Sequence, residues 1–440
     1  MGLRKAFGVG FGVAVAVGSM IGAGILRQPA DVAKLLPLPS LFLGTWIAGG
    51  LYALLGANSL AELGTMVPSS GGQYVFVRRA LGPFAGFVVG WNDYISTAGS
   101  GAAVAIVVGE ALGSLVPALT AHTALTAAVL IAIVTAILFA GARESARAQQ
   151  LTSLAKSVVL LGLVIACVVG WFGGHVAPIT ADTPPLVAPT GMALALALVV
   201  ALQGVIYAYD GWTGILYFSG EVSESARDIP RSLFFGVVAV IALYLLLNIA
   251  FMLVLPLPVL AASPLAAASA AGTIFGVNGG RIVQMLIAVA LPSAVIANTL
   301  MASRVGYALA NDGLAPRRFR DVNGGGTPAA SLIASSIVAL LFLLTGTFER
   351  VITICSFLFV ASYTLSFASV FVLRRREPEA ARPFRAWGHP WSTGFVLLGS
   401  ILFLVGSIAA DMKTGLLAAA LAVISYPAFR FSSRSPTGTA

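Results

Sequence analysis

The chain has 440 residues, of which 58% are hydrophobic and 9% are charged, and its mean hydropathy is +0.97. A soluble globular protein carries about 25% charged residues, so this composition excludes a cytoplasmic enzyme, a nucleic-acid-binding protein and a disordered chain. The formal net charge of +9 suits a membrane protein whose basic residues set its orientation. No nucleic-acid partner is needed to account for it.

A membrane-spanning helix needs about 20 mainly apolar residues, and the sequence contains about a dozen such stretches. The predicted spans are residues 8–36, 40–67, 83–112, 122–141, 149–173, 191–220, 232–256, 281–310, 328–347, 349–373, 391–410 and 413–430. Little sequence remains for a soluble domain. We therefore expect an all-α membrane protein with a single integral membrane domain over residues 1–440.

The basic residues indicate how these spans are oriented. With a cytoplasmic N-terminus, Arg4 and Lys5 lie on the same side as most arginines of the loops. The opposite loops hold only Lys34, Arg281, Arg350 and Lys413. Because cytoplasmic loops carry an excess of Lys and Arg, both termini are predicted to be cytoplasmic. The start MGLRKAF resembles a signal peptide, but no A-x-A cleavage site follows it, which favours a retained first helix.

Cysteine and histidine give no sign of a metal site or a cofactor. Cys167 and Cys355 lie in the apolar runs VIACVVG and ITICSFL, so both are expected to be small buried side chains. The histidines are far apart in the sequence and from either cysteine. A metal site needs several convergent ligands, and none is predicted.

Two spans are interrupted near their centres. The first contains GSMIGAG, with Gly18, Gly22 and Gly24, and the sixth contains YAYDGWTG, with Asp210 and Gly211. Glycine costs about 1 kcal/mol relative to alanine inside a helix, and unwound backbone at membrane depth occurs only where it lines a cavity or is buried in protein. The glycine spacing in the first span also fits a helix-packing face.

Paired interruptions in corresponding helices are the best sequence indicator of a transporter site. Breaks in spans one and six predict two five-helix repeats, over 1–175 and 190–374, followed by two accessory helices over 391–430. Because each repeat has an odd number of spans, the second repeat is inverted in the membrane.

The two breaks predict a binding site for a zwitterionic amino acid. Free N–H groups at a half-helix N-terminus suit a carboxylate, and the carbonyl groups that end the facing half-helix suit an ammonium. Donors are expected in the first break, and carbonyl groups in both breaks. The predicted substrate-binding residues are Met20, Ile21, Gly22, Ala23, Gly24, Tyr207, Ala208, Asp210 and Gly211.

Four segments in this order resemble the amino acid–polyamine–organocation (APC) superfamily, including bacterial basic amino acid/polyamine antiporters and L-type light-chain transporters. VGSMIGAGIL is similar to the broken first helix of that superfamily, and LAELGTMVPSSGGQYVFVRRALGPFAGF to its E-L-x-x-x-x-P-x-x-G-G-x-Y signature. YAYDGW resembles the break in the sixth helix. ASRVGYALANDGLAP resembles the segment that follows the eighth.

This resemblance implies a LeuT-type fold with helices 1 and 6 broken, and alternating-access transport of amino acids or related amines. Transport would be by exchange or proton coupling and independent of sodium. The resemblance also implies that Tyr207 is the aromatic residue that closes over the substrate. Ala23 stands where some amine exchangers have a serine, so a carboxylate contact there would depend on N–H groups alone.

Charged residues within spans are functional candidates. Several sodium-independent members of the superfamily resemble this chain in having a lysine at Lys156, where sodium-coupled relatives place a sodium ion. We interpret Lys156 as a substitute for sodium and a candidate proton carrier, since desolvation helps a lysine release its proton. The alternative is a lysine that snorkels to the nearby cytoplasmic surface.

Two carboxylates lie near mid-membrane. Asp210 either faces the cavity and favours a cationic substrate, or binds unwound N–H groups and stabilises the break. Asp93 lies about 15 Å into the third span, where it is either part of a substrate or proton path or a buried structural residue.

The leading hypothesis is a secondary amino-acid transporter, and the alternative is a polyamine or organic-cation permease. A channel would show a continuous polar stripe, and an intramembrane enzyme would need a nucleophile with a base, neither of which is visible in the sequence. The expected partners are the lipid bilayer, an amino-acid substrate and, where transport is coupled to protons, protons. No extracellular-loop cysteine is present for pairing with a glycoprotein heavy chain, and the short loops favour a bacterial inner-membrane protein.

Overall fold

The structure, a computed structural model, describes residues 7–69, 71–140, 145–180, 186–324, 326–345 and 347–434. Within these ranges it describes all side chains except those of residues 140, 145–153 and 431–434. The predicted cytoplasmic residues Arg4 and Lys5 lie outside the described residues.

The first half of the described chain consists of helices. They are α1 (Val9–Met20), α2 (Ala23–Leu35), α3 (Pro39–Met66), α4 (Gln73–Leu81), α5 (Pro83–Leu115), α6 (Thr123–Ala140), α7 (Ser145–Phe172) and α8 (Gly191–Tyr209). A 3-10 helix over Pro117–His122 precedes α6, and a second over Trp212–Glu221 follows α8.

The second half continues in the same way. Its helices are α9 (Ser225–Val254), α10 (Leu257–Ala261), α11 (Ala266–Ala290), α12 (Pro292–Asn311), α13 (Ala329–Leu343), α14 (Phe348–Arg376), α15 (Trp391–Ala410), α16 (Met412–Val423) and α17 (Ser425–Arg434). Among the described residues, β-structure is limited to two isolated bridges, Phe7 with Val222 and Val322 with Pro328. The expected all-α membrane class is confirmed.

Ten helical stretches of the described chain are long and apolar enough to cross a membrane, and the pair α1–α2 forms an eleventh. The predicted span 328–347 corresponds to α13, which has 15 residues and is shorter than a full span. The twelve-span count of the LeuT-type fold therefore stays a prediction.

The predicted span 281–310 differs from the structure. Helix α11 already begins at Ala266, has a left-handed residue at Gly276 (φ 71°), and is followed by α12 from Pro292. Pro292 at the start of α12 has no N–H to bond the preceding turn. A helix boundary therefore falls inside residues 281–310, which the apolar pattern indicates as one span.

Helix α5 forms the centre of the molecule. Within its 18-residue apolar stretch 89% of the residues are buried, and the helix packs against α12, α13 and α14. Its small side chains allow this packing, because a Cβ at Gly99 would lie 2.6 Å from the sulfur of Cys355 on α14. Helix α14 is the second buried helix, with 72% of its apolar window covered.

The outer helices expose apolar side chains, as lipid contact requires. In the stretch that contains α6 only 22% of the apolar window is buried, and Leu125, Ile133 and Ile137 are more than half exposed. Apolar side chains on α7, including Ile165 and Val169, are also exposed. A soluble protein seldom presents such continuous apolar surface, so these faces define the bilayer-facing perimeter.

Candidate functional site

The first break lies between α1 and α2. Helix α1 ends at Met20, α2 begins at Ala23, and the two axes differ by 44°. Ile21 and Gly22 have extended backbone angles (ψ 91° and −151°). No side chain caps the N-terminus of α2, so its first N–H groups have no side-chain acceptor. The unwound point predicted from GSMIGAG is present.

The second break follows α8. Asp210 is extended, Gly211 has a left-handed conformation (φ 105°), and the chain continues as the 3-10 helix Trp212–Glu221. This positive φ favours glycine, since a Cβ would be strained there. The break predicted from YAYDGWTG therefore begins at Asp210.

The two breaks lie against each other. A Cβ at Gly24 would be 2.5 Å from the Cα of Ala208, and one at Gly211 would be 2.7 Å from the Cβ of Ser19. The Tyr244 hydroxyl of α9 donates to the Met20 carbonyl (2.6 Å) and is also 3.1 Å from the Ala208 carbonyl. One buried tyrosine thus links the broken ends of both helices.

The breaks form a cavity of about 40 Å³, which has room for a few water molecules. Seven of the nine predicted binding residues line it: Met20, Gly22, Ala23, Gly24, Tyr207, Asp210 and Gly211. Ala208 is not among the lining residues and packs against Gly24. Ile21 lines a different cavity.

Several polar lining residues were not predicted from the sequence. They are Ser19 on α1, Gln73 on α4, Thr97 and Ser100 on α5, Thr213 and Tyr217 on the second 3-10 helix, Asn298 on α12 and Tyr363 on α14. Thr97 and Ser100 follow Asp93 at helical spacing, which is a signal that sequence analysis could have used. Asn298 stands alone in an apolar run, and its position in the cavity follows only from tertiary packing.

Asp210 lines the cavity and has partners within the protein. The Tyr363 hydroxyl donates to its Oδ1 atom, and the backbone N–H of Gly211 is a second donor. Both proposed environments for this residue are therefore present, since it faces the cavity and also bonds unwound backbone.

Asp93 is buried behind the cavity. It is 2% exposed and is not among the lining residues. The Tyr217 hydroxyl, which does line the cavity, donates to Asp93 Oδ2 at 3.1 Å. Asp93 is thus connected to the cavity through one tyrosine.

Lys156 lies beside the first break but not in the cavity between the breaks. Its side chain is 7% exposed and lines a separate, mainly apolar cavity of about 480 Å³ between α2, α7 and α11. Gly22 lines both cavities. Within the described part of the chain no hydrogen bond or ion pair of Lys156 is present. The side chain is thus buried beside the first break, and both interpretations of Lys156 stay predictions.

Contacts beyond the cavity hold both broken helices. On α2, Arg27 pairs with Glu110 of α5 and with Glu349 of α14, the latter at 2.6 Å. Its guanidinium also lies over the Phe348 ring, which is packed edge-on against Tyr207. These contacts connect the second turn of α2 with the aromatic wall of the cavity.

The start of α1 is held by a different set of contacts. The Phe7 N–H donates to the Glu221 carbonyl at 3.1 Å, and the Ser223 N–H donates to the Phe7 carbonyl at 2.9 Å. The Arg304 guanidinium of α12 lies 5.1 Å from the centre of the Phe218 ring. Backbone pairing therefore joins the chain before α1 to the end of the second broken helix.

Outside the spans, Arg78 and Arg79 on α4 pair with Asp312 and Glu377. The hydrogen bond to Asp312 raises the pKa of Arg78. The hydrogen bond from Arg79 lowers the pKa of Glu377. Among the residues that the structure describes, no group of three or more His, Cys, Asp or Glu side chains is placed to hold a metal ion.

The comparison with known families agrees with the paired helix breaks around one cavity. Residues 12–425 match the family model described as "Amino acid permease", and the chain belongs to this family of multi-pass membrane transporters.

Its relatives include a serine/threonine exchanger, SteT, of Bacillus subtilis, 26% identical over 426 residues that cover 94% of each chain. The human b(0,+)-type amino acid transporter 1 is 25% identical over 402 residues, which cover 87% of this chain and 79% of the relative. The human large neutral amino acids transporter small subunit 2 is 27% identical over 394 residues, with 87% and 72% coverage. The family and the names of these relatives support the predicted amino-acid permease and point to a transporter rather than an enzyme.

Proposed function

We propose that this protein is a secondary transporter that moves amino acids by alternating access. The observation that carries the proposal is the pair of helix breaks around one small cavity. A cavity of about 40 Å³ must enlarge before an amino acid can bind, so the structure corresponds to a closed conformation between the two open ones. The family and its exchanger relatives support this function.

In this proposal the substrate carboxylate binds the N–H groups of Gly22, Ala23 and Gly24 at the start of α2. A helix N-terminus favours an anion through its free donors and its dipole. The substrate ammonium binds carbonyl groups of the breaks, for which Met20, Tyr207 and Asp210 are candidates among the lining residues. Tyr207 then covers the bound substrate.

We propose neutral amino acids as the main substrates. The Asp210 carboxylate is bonded to Tyr363 and to backbone, so it is less available to a cationic side chain. The alternative, a polyamine or other organic cation, would use Asp210 and Asp93 together. Asp93 lies behind Tyr217, and a polyamine would have to displace that tyrosine to reach it.

For coupling, we propose that Lys156 replaces a sodium ion beside the first break. Its buried ammonium and its position next to Gly22 support a role in stabilising the break. Its isolation among the described residues supports proton release, because burial without a counter-charge disfavours the charged form. Exchange without net proton movement is the competing mode.

We further propose an inverted pair of repeats, over 1–175 and 190–374, with accessory helices over 391–430. The positions of the breaks, in the first helix of each segment, support this division. The basic loops support cytoplasmic termini, and the short loops support a bacterial inner membrane. We expect activity without a heavy chain, and the buried positions of Cys167 and Cys355 are in keeping with that.

The test is uptake of radiolabelled alanine, leucine and arginine into proteoliposomes, with an imposed pH gradient and with or without internal amino acid. Wild type is compared with Lys156→Ala and with Val158→Ala, a matched control whose side chain on the same helix is 59% exposed. Proton-driven uptake that is lost only in Lys156→Ala supports symport through Lys156.

Uptake that needs internal amino acid and ignores the pH gradient identifies an exchanger and removes the proton role of Lys156. Arginine as the only transported substrate would overturn the preference for neutral amino acids. No uptake or exchange of any of the three by reconstituted wild-type protein would contradict the proposed function.

A further inference from the structure

Two buried carboxylates lie close together beside the cavity. Asp210 at the end of α8 lines this cavity, Asp93 on α5 reaches it through the Tyr217 hydroxyl, and the two charges repel each other. Asp93 is 2% exposed, and Asp210 lies at the small cavity between the breaks. Neither forms an ion pair with a described residue.

The groups that face the pair are neutral. Tyr217 donates to Asp93, and Tyr363 and the Gly211 N–H donate to Asp210. The other titratable groups in electrostatic range of Asp210 are Tyr52, Tyr207 and Cys355. Within the described part of the chain no lysine, arginine or histidine contributes at this site. Lys156 lines the other cavity.

Hydroxyl donors do not supply the missing charge. A buried carboxylate without a counter-charge is energetically unfavourable, and two neighbouring carboxylates repel each other as well. The arrangement is therefore unfavourable as a pair of anions, and one bound cation would neutralise one carboxylate and remove the repulsion between the two.

A second observation concerns the hydroxyl beside Asp93, which can accept a hydrogen bond from a protonated carboxyl as well as donate one to a carboxylate. Ser362 on α14 is fully buried, and its Oγ lies beside the Asp93 carboxylate. Among the described residues this Oγ nevertheless has no hydrogen bond of acceptable geometry. Tyr217 occupies Oδ2 of Asp93, so a proton on Oδ1 would convert that oxygen into a donor and Ser362 Oγ into its acceptor.

We propose that Asp93 and Asp210 form a binding site for one proton, which resides on Asp93 Oδ1 and is donated to Ser362 Oγ when the cavity is closed. Binding forms one O–H bond with a proton taken from water when the cavity is open to one side. Release breaks that bond and returns the proton to water on the other side. The link to transport rests on the proposed function, whereas the proton site itself does not.

The substrate would sense this proton through the two tyrosines. Tyr217 and Tyr363 line the cavity and also bond the two carboxylates. A substrate that displaces either hydroxyl removes a donor from its aspartate and makes protonation more favourable. Substrate binding and proton binding should therefore favour each other.

The direct test is infrared spectroscopy of the purified full chain at about pH 7, where exposed carboxyl groups are ionised. A protonated carboxyl gives a C=O band separate from that of carboxylates. We expect the band in wild type, its loss in Asp93→Asn, and a shift in Ser362→Ala, which keeps the acid but removes its acceptor. The matched control is Asp228→Asn, because Asp228 is buried but paired with Arg227 at 3.0 Å and should contribute no acid band.

A wild-type spectrum without an acid band near neutral pH overturns the proposal, as does a band that persists in both Asp93→Asn and Asp210→Asn. If Asp93→Asn does not fold, the shift in Ser362→Ala decides, and an unshifted band contradicts the assignment to Asp93. The second measurement is proton uptake from weakly buffered solution when alanine is added. We expect uptake in wild type and none in Asp93→Asn.

These results separate the two proposals. An acid band that depends on Asp93, in a protein that transports no amino acid, would retain the proton site and reject the proposed function. Amino-acid uptake without an acid band would retain the function and reject the site.

Discussion

Gly24 lies where α2 packs directly against the backbone of α8. A Cβ at this position would lie only 2.5 Å from the Cα of Ala208 on α8. Backbone in a neighbouring helix cannot give way as a flexible side chain can. The packing of α2 on α8 at this point therefore depends on Gly24.

We predict that Gly24→Ala lowers stability by about 1–3 kcal/mol through overpacking and reduces uptake at least as strongly. The measurements are thermal unfolding in detergent and initial uptake of alanine. The control is Gly10→Ala on α1, where a Cβ meets nothing within 4 Å and should stabilise the helix by about 0.5–1 kcal/mol. Equal behaviour of the two variants would contradict the close contact.

Tyr244 offers a second test at single-residue resolution. Tyr244→Phe keeps the buried ring but leaves the Met20 carbonyl without its 2.6 Å donor. We predict a loss of about 1–3 kcal/mol and slower exchange, because the breaks lose their shared hydrogen-bond partner.

The matched control for Tyr244 is Tyr209→Phe. The Tyr209 hydroxyl is buried and has no partner among the described residues, so its removal should be neutral or slightly stabilising. A Tyr244→Phe variant as active and stable as Tyr209→Phe would show that the hydroxyl does not link the helices.

Individual residues also show what sequence analysis could and could not predict. Glycine clusters and a carboxylate are rare inside membrane helices, so Gly22, Gly24 and Asp210 were visible as cavity residues. Tyr244 and Asn298 were not, because a single polar group in an apolar helix gives no information about which neighbour it faces.

Among the helices, α3 and α14 are joined by a buried charge pair. Arg374 bonds both carboxylate oxygens of Glu62, at 2.9 and 2.6 Å, and the Ala386 N–H donates to the same carboxylate. Glu62 is 1% exposed. Glu62, the glutamate of the E-L signature, thus anchors the segment after α14 to α3.

We predict that Glu62→Gln destabilises the protein by about 3–5 kcal/mol, since it leaves Arg374 without its buried partner. The control is Glu377→Gln, which breaks a pair with Arg79 whose side chains are 31% and 40% exposed and should cost about 0–1 kcal/mol. Unfolding midpoints in detergent compare the two. A Glu62→Gln midpoint within error of the control would exclude an anchoring role.

The pair of Glu377 and Arg79 also shows in which pH range such a surface pair contributes to stability. The lowered pKa of Glu377 means that its contribution to stability is present above the ordinary glutamate pKa of about 4.3 and is lost only as pH falls below it. A pH dependence near neutrality therefore has another source than this pair.

Helix boundaries were predicted less well than helix positions. The apolar pattern located the spans, but α4, the left-handed Gly276 and the division at Pro292 were missed. These features depend on where the chain turns within apolar sequence, and hydropathy alone does not distinguish a turn from a continuous span.

For the molecule as a whole, contacts at both ends of the broken helices surround a cavity too small for a substrate. Arg27 connects α2 with α5 and α14, while Phe7 pairs with the chain beyond the second broken helix. In the proposed alternating access, opening on one side would break one set of contacts and leave the other intact. Such an arrangement is what alternating access requires of a closed state.

Gly22 lines both the cavity between the breaks and the cavity that holds Lys156. The proposed substrate site and the proposed coupling site therefore share main chain at Gly22, a residue without a side chain. Information would pass between them as a displacement of peptide groups rather than through a relay of side chains. Coupling of this kind tolerates changes in the surrounding side chains but fails when the backbone at this one point is stiffened.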